Sequence, residues 1–244
     1  MRGMEAARDR LAVALDVPDL AGASDLIAAL GGASGWLKVG LELYTAAGPA
    51  AVEMAGRDAR VFLDLKLHDI PNTVASAVSV ATRSGASLLT LHAQGGRAML
   101  RAARDAAADA AAAAGVEQPI LVAITVLTSL TVSDLGDVGV AVDATDIQVQ
   151  RLAELAVESG VDGVVASPVE AAALRQVLGP EACLVTPGIR TSGDPADDQE
   201  RVATPRAAIA AGADLLVVGR PVRHAPDPGK AARRIVDEIG LALG

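Results

Sequence analysis

Eight short aliphatic runs, each followed by a stretch of helical composition, constrain this chain more than any other feature. The runs are LAVALD (11–16), WLKVG (36–40), VFLDLK (61–66), SLLTLHA (87–93), ILVAIT (120–125), DGVVAS (162–167), CLVTPGI (183–189) and DLLVVG (214–219). Between and after them, residues 19–31, 42–56, 72–84, 95–114, 146–159, 169–178, 204–211 and 228–240 are rich in Ala, Leu, Glu and Arg. Strand alternating with helix implies βα units and a parallel sheet. Eight such units in 244 residues predict an α/β fold, a (β/α)8 TIM barrel with residues 1–244 forming a single domain. A doubly wound open sheet is the rival architecture. It normally carries a Gly-rich turn after its first strand, and LDVPDL offers none.

Two connections are long and leave the C-terminal ends of strands, the face where barrel enzymes keep their active sites. Residues 127–146 follow the fifth strand and are expected to hold a short helix. Residues 190–204 follow the seventh and are polar, with Gly and Pro. Both are expected to be mobile loops, since long loops in compact domains are usually lids or binding loops.

Composition narrows the function. Apolar residues make up 51% of the chain, enough for a large core, and the net charge of −9 argues against nucleic acid as a partner. The charged N-terminus does not read as a secretory signal. No apolar run approaches the ~18 residues of a membrane span, so no membrane association and a cytoplasmic location are expected. The one cysteine, Cys183, has no intrachain partner and no metal-ligand spacing around it. Of 21 basic residues only three are lysines: Lys38, Lys66 and Lys230. Among so many arginines a lysine is notable, because it alone of the two can give up its proton.

Two of those lysines sit in strands. In VFLDLK, alternation puts Phe62, Asp64 and Lys66 on one face and Leu63 and Leu65 on the other. The leucines should meet the helices, which turns Asp64 and Lys66 into the barrel near its C-terminal mouth. Asp69 follows just past this strand, Asp16 ends the first and Lys38 lies in the second. All five ionisable groups could therefore converge on one mouth. Buried charge of this kind is costly unless paired. A paired network that only fixes strand register is the plain alternative to chemistry. Flanked by carboxylates, Lys66 should stay protonated, which suits a proton donor better than a Schiff-base nucleophile. Strand seven runs into PGIR and strand eight into GRPV, placing Arg190, Gly219 and Arg220 where barrel phosphate sites are commonly built.

At these residues the chain resembles the orotidine 5′-phosphate decarboxylase family. LDLKLHDIPNTV (63–74) is similar to its signature. The likeness continues through AVALD (12–16), LKVGLELY (37–44), LHAQGG (91–96), ITVLTS (124–129), DGVVASPVEA (162–171), LVTPGIR (184–190), DDQER (197–201) and VVGRPV (217–222). The resemblance implies decarboxylation of orotidine 5′-phosphate to UMP, the last step of de novo pyrimidine synthesis, with no cofactor and no metal. It implies Lys66 as the proton donor to C6 of the pyrimidine and Asp64 as the aspartate set against the departing carboxylate. Asp16 and Lys38 would bind the ribose hydroxyls, and Lys38 would complete the charge array. Asp69 and Thr73 would reach into the site of a partner subunit, so a homodimer is implied, and Ile70 is counted with the substrate contacts. Thr128 would cover the pyrimidine, and Arg190, Gln199, Gly219 and Arg220 would hold the phosphate. Leu67, where many relatives have Phe, is expected to face away from the mouth.

The implied chemistry is physically coherent. Loss of CO2 from C6 of orotate leaves a vinyl carbanion in the ring plane, without a π system to delocalise it. Most decarboxylases borrow an electron sink from a cofactor; this sequence carries no thiamine, pyridoxal or metal motif, so fixed charges must do the stabilising. His68 and His92 are expected to be structural, His224 a loop residue, Cys183 inert core, and Trp36 and Tyr44 packing groups. Three other readings remain open on the residues alone. The first is a Mg2+-dependent sugar-phosphate decarboxylase or aldolase with the same Asp-x-Lys-x-x-Asp pattern. The others are a Schiff-base aldolase using Lys66 and a non-catalytic nucleotide-binding barrel.

Overall fold

A computed structural model describes residues 2–190 and 203–244, with side chains from residue 4 onward. Its eight strands are β1 (Leu11–Ala14), β2 (Trp36–Gly40), β3 (Arg60–Leu67), β4 (Ala86–His92), β5 (Ile120–Ile124), β6 (Gly163–Val165), β7 (Cys183–Thr186) and β8 (Leu215–Val218). All neighbours pair in parallel, and β8 pairs with β1, so the sheet closes into a barrel in sequence order. The expected (β/α)8 architecture is the one found, and the open-sheet rival is excluded.

The helices are α1 (Arg2–Arg8), α2 (Leu20–Leu30), α3 (Leu41–Ala47), α4 (Pro49–Ala55), α5 (Pro71–Arg83), α6 (Gly96–Ala114), α7 (Val132–Asp137), α8 (Thr145–Glu158), α9 (Ala171–Leu178), α10 (Pro205–Ala210), α11 (Arg220–Arg223) and α12 (Pro228–Leu243). Local chemistry sets many of their ends. Asp19 caps α2 by accepting from the Gly22 amide, and Asp227 caps α12 by accepting from the Lys230 amide. The helix expected over 42–56 is two helices. Gly48, at φ 59°, ends α3, and Pro49 opens α4. Two short helices, α1 and α11, were not foreseen. The first packs against α12 and buries Ala7 completely.

Two apolar clusters follow from strand alternation. The larger fills the space between sheet and helices and includes Leu63; Leu65 and Leu67 pack against it. Leu67 therefore turns away from the barrel interior, as expected. The smaller plugs the barrel with Ala12, Trp36, Phe62, Leu88, Val122, Val185 and Leu215. Trp36 closes its lower end: the indole N–H donates to the Asp9 carbonyl at 3.0 Å, and the Arg60 guanidinium lies 4.2 Å above the ring. Cys183 packs against the same plug. Burial pushes its thiol up to about 12, with Asp214 and Asp162 adding to the effect. Two residues further along these strands, the inward positions become Ala14, Lys38, Asp64, Thr90 and Ile124, and the interior turns polar.

Candidate active site

Above the apolar plug lies a cavity of about 470 Å3. Asp16, Lys38, Asp64 and Lys66 line it, together with Thr128, Arg190, Gly219, Arg220 and Arg223. The size is that of a small-molecule site.

The first four form a chain of alternating charge. Lys38 Nζ lies 3.1 Å from Asp16 Oδ1 and 3.4 Å from Asp64 Oδ2. Lys66 Nζ donates to both Asp64 oxygens at 2.9 Å. Lys38 and Asp64 are only 9% and 8% exposed, so water does little to screen them. Burial opposes both charges. The carboxylates of Asp64 and Asp16 outweigh it at Lys38, whose pKa is raised. The ammoniums of Lys38 and Lys66, with the hydrogen bonds from Lys66 and Thr90, outweigh it at Asp64, whose pKa is lowered. Breaking one buried member of such a set typically costs about 3–5 kcal/mol, because the other is left uncompensated.

Lys66 does not reach this array by simple alternation. Leu63 pairs with Leu89 and Leu67 with Leu91, so four steps on β3 span only two on β4. The slack is taken up at Lys66, at φ 51°, the one non-glycine residue with positive φ among the described residues. A non-glycine residue in this region costs roughly 1–2 kcal/mol. Its amide leaves the strand ladder and donates to the Thr90 hydroxyl at 2.8 Å. Strain of this kind concentrates at functional sites.

Of the five ionisable groups expected at one mouth, four converge. Asp69 does not: it is exposed, outside the cavity lining, and its carboxylate accepts from the Ile70 amide at 2.6 Å. The strand ends at Leu67, and the chain then turns outward into α5. Ile70 and Thr73 are exposed too, and Ile70 is 67% exposed. Gln199 lies outside the described residues, as does most of the connection 190–204. The other long connection contains the expected short helix, α7, with a reciprocal cap between Thr131 and Asp134 and a fully buried Leu135.

Sequence reasoning missed two residues that the fold brings to this site. Thr90 bridges Lys66 and Asp64, donating to Asp64 Oδ1 at 3.0 Å. Arg223 lines the cavity, and its Nη1 donates to the Asp16 carbonyl. Its buried Nε has no acceptor among the described residues. The signal for Arg223 was present, since it stands one helical turn after Arg220. Thr90 gave none, since threonine is an ordinary strand residue. His68 and His92 stack at 5.1 Å beside Lys66. Burial lowers the His92 pKa, and the charges of His68 and Lys66 add to this.

A closed parallel barrel whose C-terminal mouth holds paired lysines and aspartates together with several arginines defines a barrel enzyme with a polar small-molecule pocket. The chain belongs to the Orotidine 5'-phosphate decarboxylase / HUMPS family, whose model matches residues 9–235. It is 52% identical over 237 residues to the orotidine 5'-phosphate decarboxylase of Moorella thermoacetica, covering 96% of this chain and 94% of that protein. With the protein of the same name from Thermobifida fusca it shares 51% identity over 231 residues, 94% of this chain and 95% of the other. The crystal structure of orotidine 5'-phosphate decarboxylase from Lactobacillus acidophilus superposes with a TM-score of 0.83 at 34% identity, covering 95% of this chain and 99% of that one.

Proposed function

We propose that this chain is a carboxy-lyase converting orotidine 5′-phosphate to UMP and CO2 without a cofactor, at the close of de novo pyrimidine synthesis. The observation that carries the reading is the Asp16–Lys38–Asp64–Lys66 array, buried at Lys38 and Asp64, at the barrel mouth of a chain of this family.

In this reading the C6–carboxylate bond breaks and its electron pair stays on C6. The Lys66 ammonium stabilises that charge as it develops, then transfers a proton to C6 and recovers one from solvent. Asp64 faces the departing carboxylate and holds Lys66 in line. Asp16 and Lys38 bind the ribose hydroxyls. Arg190, Gly219, Arg220 and Gln199 hold the phosphate, and Thr128 covers the pyrimidine. Phosphate binding far from the reacting bond can drive closure of 127–146 over the substrate. Asp69, Ile70 and Thr73 act in the site of a second copy, which accounts for their exposure here, and the working unit is a cytoplasmic homodimer. Among the described residues no helix is long and apolar enough to cross a membrane.

The test is to mix the purified protein with orotidine 5′-phosphate in EDTA and follow the loss of orotate absorbance. Rapid conversion is expected from the wild type, and loss by many orders of magnitude from Lys66→Ala. Turnover that vanishes with EDTA and returns with Mg2+ would move the reading to metal-dependent chemistry. Near-normal turnover by Lys66→Ala would remove Lys66 from the reaction.

A further inference from the structure

We propose that Thr90 is the positioning residue of the site: its single hydroxyl holds Lys66 in its kinked conformation and Asp64 in its working orientation at the same time. The inference rests on the roles given above to Lys66 and Asp64.

The hydrogen-bond inventory fixes the direction of both contacts. The Lys66 amide can only donate, so the Thr90 oxygen accepts at 2.8 Å. An ionised Asp64 can only accept, so the one hydroxyl proton of Thr90 must point to Oδ1 at 3.0 Å. Thr90 is fully buried, which leaves neither contact open to exchange with water. One side chain therefore links the backbone of the proton donor to the carboxylate beside it.

The link matters because Lys66 needs a restraint. An extended lysine at this point of β3 would keep its amide in the strand ladder. The observed φ of 51° takes it out and requires another acceptor. Thr90 sits two residues beyond Leu88 of the apolar plug, on the inward side of β4, beside the two extra residues of β3. Asp64 has the converse need. Both its oxygens contact Lys66 and one also faces Lys38, so rotation of the carboxylate would disturb two ammoniums at once. The Thr90 proton selects one rotamer. A catalytic group allowed to drift by about 1 Å can lose about a hundredfold in rate.

The experiment compares Thr90→Val with Thr90→Ser. Valine keeps the shape and removes both hydrogen bonds, while serine keeps the hydroxyl. Thr90→Val should lower kcat by about ten- to a hundredfold, the range expected when buried polar groups lose their partner. UMP, which lacks the carboxylate facing Asp64, should bind within about threefold of wild type by the same reasoning, and Thr90→Ser should restore most of kcat. A Thr90→Val enzyme with kcat within about threefold of wild type overturns the proposal. So does a parallel loss of kcat, UMP affinity and melting temperature, which would make Thr90 a packing residue only. Failure of serine to rescue overturns it as well. If valine prevents folding, Thr90→Ala carries the same expectations. Lys66→Ala run alongside separates the two readings: if it keeps turnover, the assignment of Lys66 fails, and if it alone is inactive, only the role of Thr90 fails.

Discussion

A Cβ placed on Gly40 would lie 2.8 Å from Nζ of Lys38. The same atom would lie 3.1 Å from Asp16 Oδ1, inside the ion pair these residues make. Gly40 has an ordinary φ of −96°, so its smallness, and not its conformational freedom, is what the site uses. Gly40→Ala should fold normally and displace the lysine head. Activity should fall at least tenfold, the equivalent of about 1.4 kcal/mol, and the melting temperature should drop by a few degrees as the buried pairs of Lys38 are weakened. Steady-state kinetics and a thermal melt decide it. Wild-type kinetics would mean that Lys38 can move aside without consequence.

The pH response has two parts with separate causes. Asp64, with its lowered pKa, contributes stability that is present above 3.8 and lost as pH falls through its folded value. Lys38, with its raised pKa, contributes stability that is present below 10.5 and lost as pH rises through its folded value. The contributions of Asp64 and Lys38 are thus constant across neutral pH. His92 differs. Its folded pKa lies below 6.5, so under mild acid the unfolded chain takes up a proton before the native one does, and stability falls. Burial sets the sign, and the charges of His68 and Lys66 beside the ring add to it. Urea midpoints measured from pH 8 to pH 5 should decline, and His92→Gln should flatten part of that decline. An identical slope in the variant would mean that His92 does not titrate in this range.

Cys183 should be chemically silent in the folded protein. With its thiol pushed up to about 12, almost no thiolate exists at neutral pH, and the side chain packs against the barrel plug. Iodoacetamide should label it far more slowly in buffer than in urea. Equal rates would place this thiol in an open, polar setting.

What could be read from the chain without its fold follows a physical line. The eight strands were legible because parallel strands buried on both faces appear as near-continuous aliphatic runs. Asp16, Lys38 and Asp64 were legible because charge in such a run has few places to go. The kink at Lys66 was not, since lysine gives no turn signal; only the pairing of β3 with β4 reveals it. Thr90 was hidden for a similar reason, because its partners come from another strand. The break between α3 and α4 was present as Gly48-Pro49, a helix stop followed by a helix start, and was passed over within a long Ala- and Leu-rich segment. Helix α1 depends on α12, more than two hundred residues away.

The proposed sharing of Asp69 between subunits predicts complementation. Asp69→Ala and Lys66→Ala proteins, each inactive alone, should recover up to about a quarter of wild-type turnover per site when mixed. Random exchange makes half of the dimers mixed, and each mixed dimer keeps one intact site. No recovery, with subunit exchange demonstrated by mass or fluorescence, would place Asp69 outside the partner's site. Its exposure would then need another explanation.

Arg223 offers the sharpest test of how the charged array meets the arginines of the cavity. Its Nη1 is committed to the Asp16 carbonyl and its buried Nε has no acceptor among the described residues; the residue lines the cavity together with Arg190 and Arg220. If that free donor serves the phosphate, Arg223→Met should weaken UMP by about tenfold and uridine by less than about twofold, because a charge-assisted hydrogen bond to phosphate is among the stronger single contacts. If Arg223 acts only by fixing Asp16, the ribose contact is what suffers, and uridine should lose as much affinity as UMP. The expected result is the first, since a guanidinium used only to hold one carbonyl would gain nothing from a charged, buried second donor. Calorimetric titration of both ligands separates the cases, and equal losses would assign Arg223 to the β1 end of the site alone.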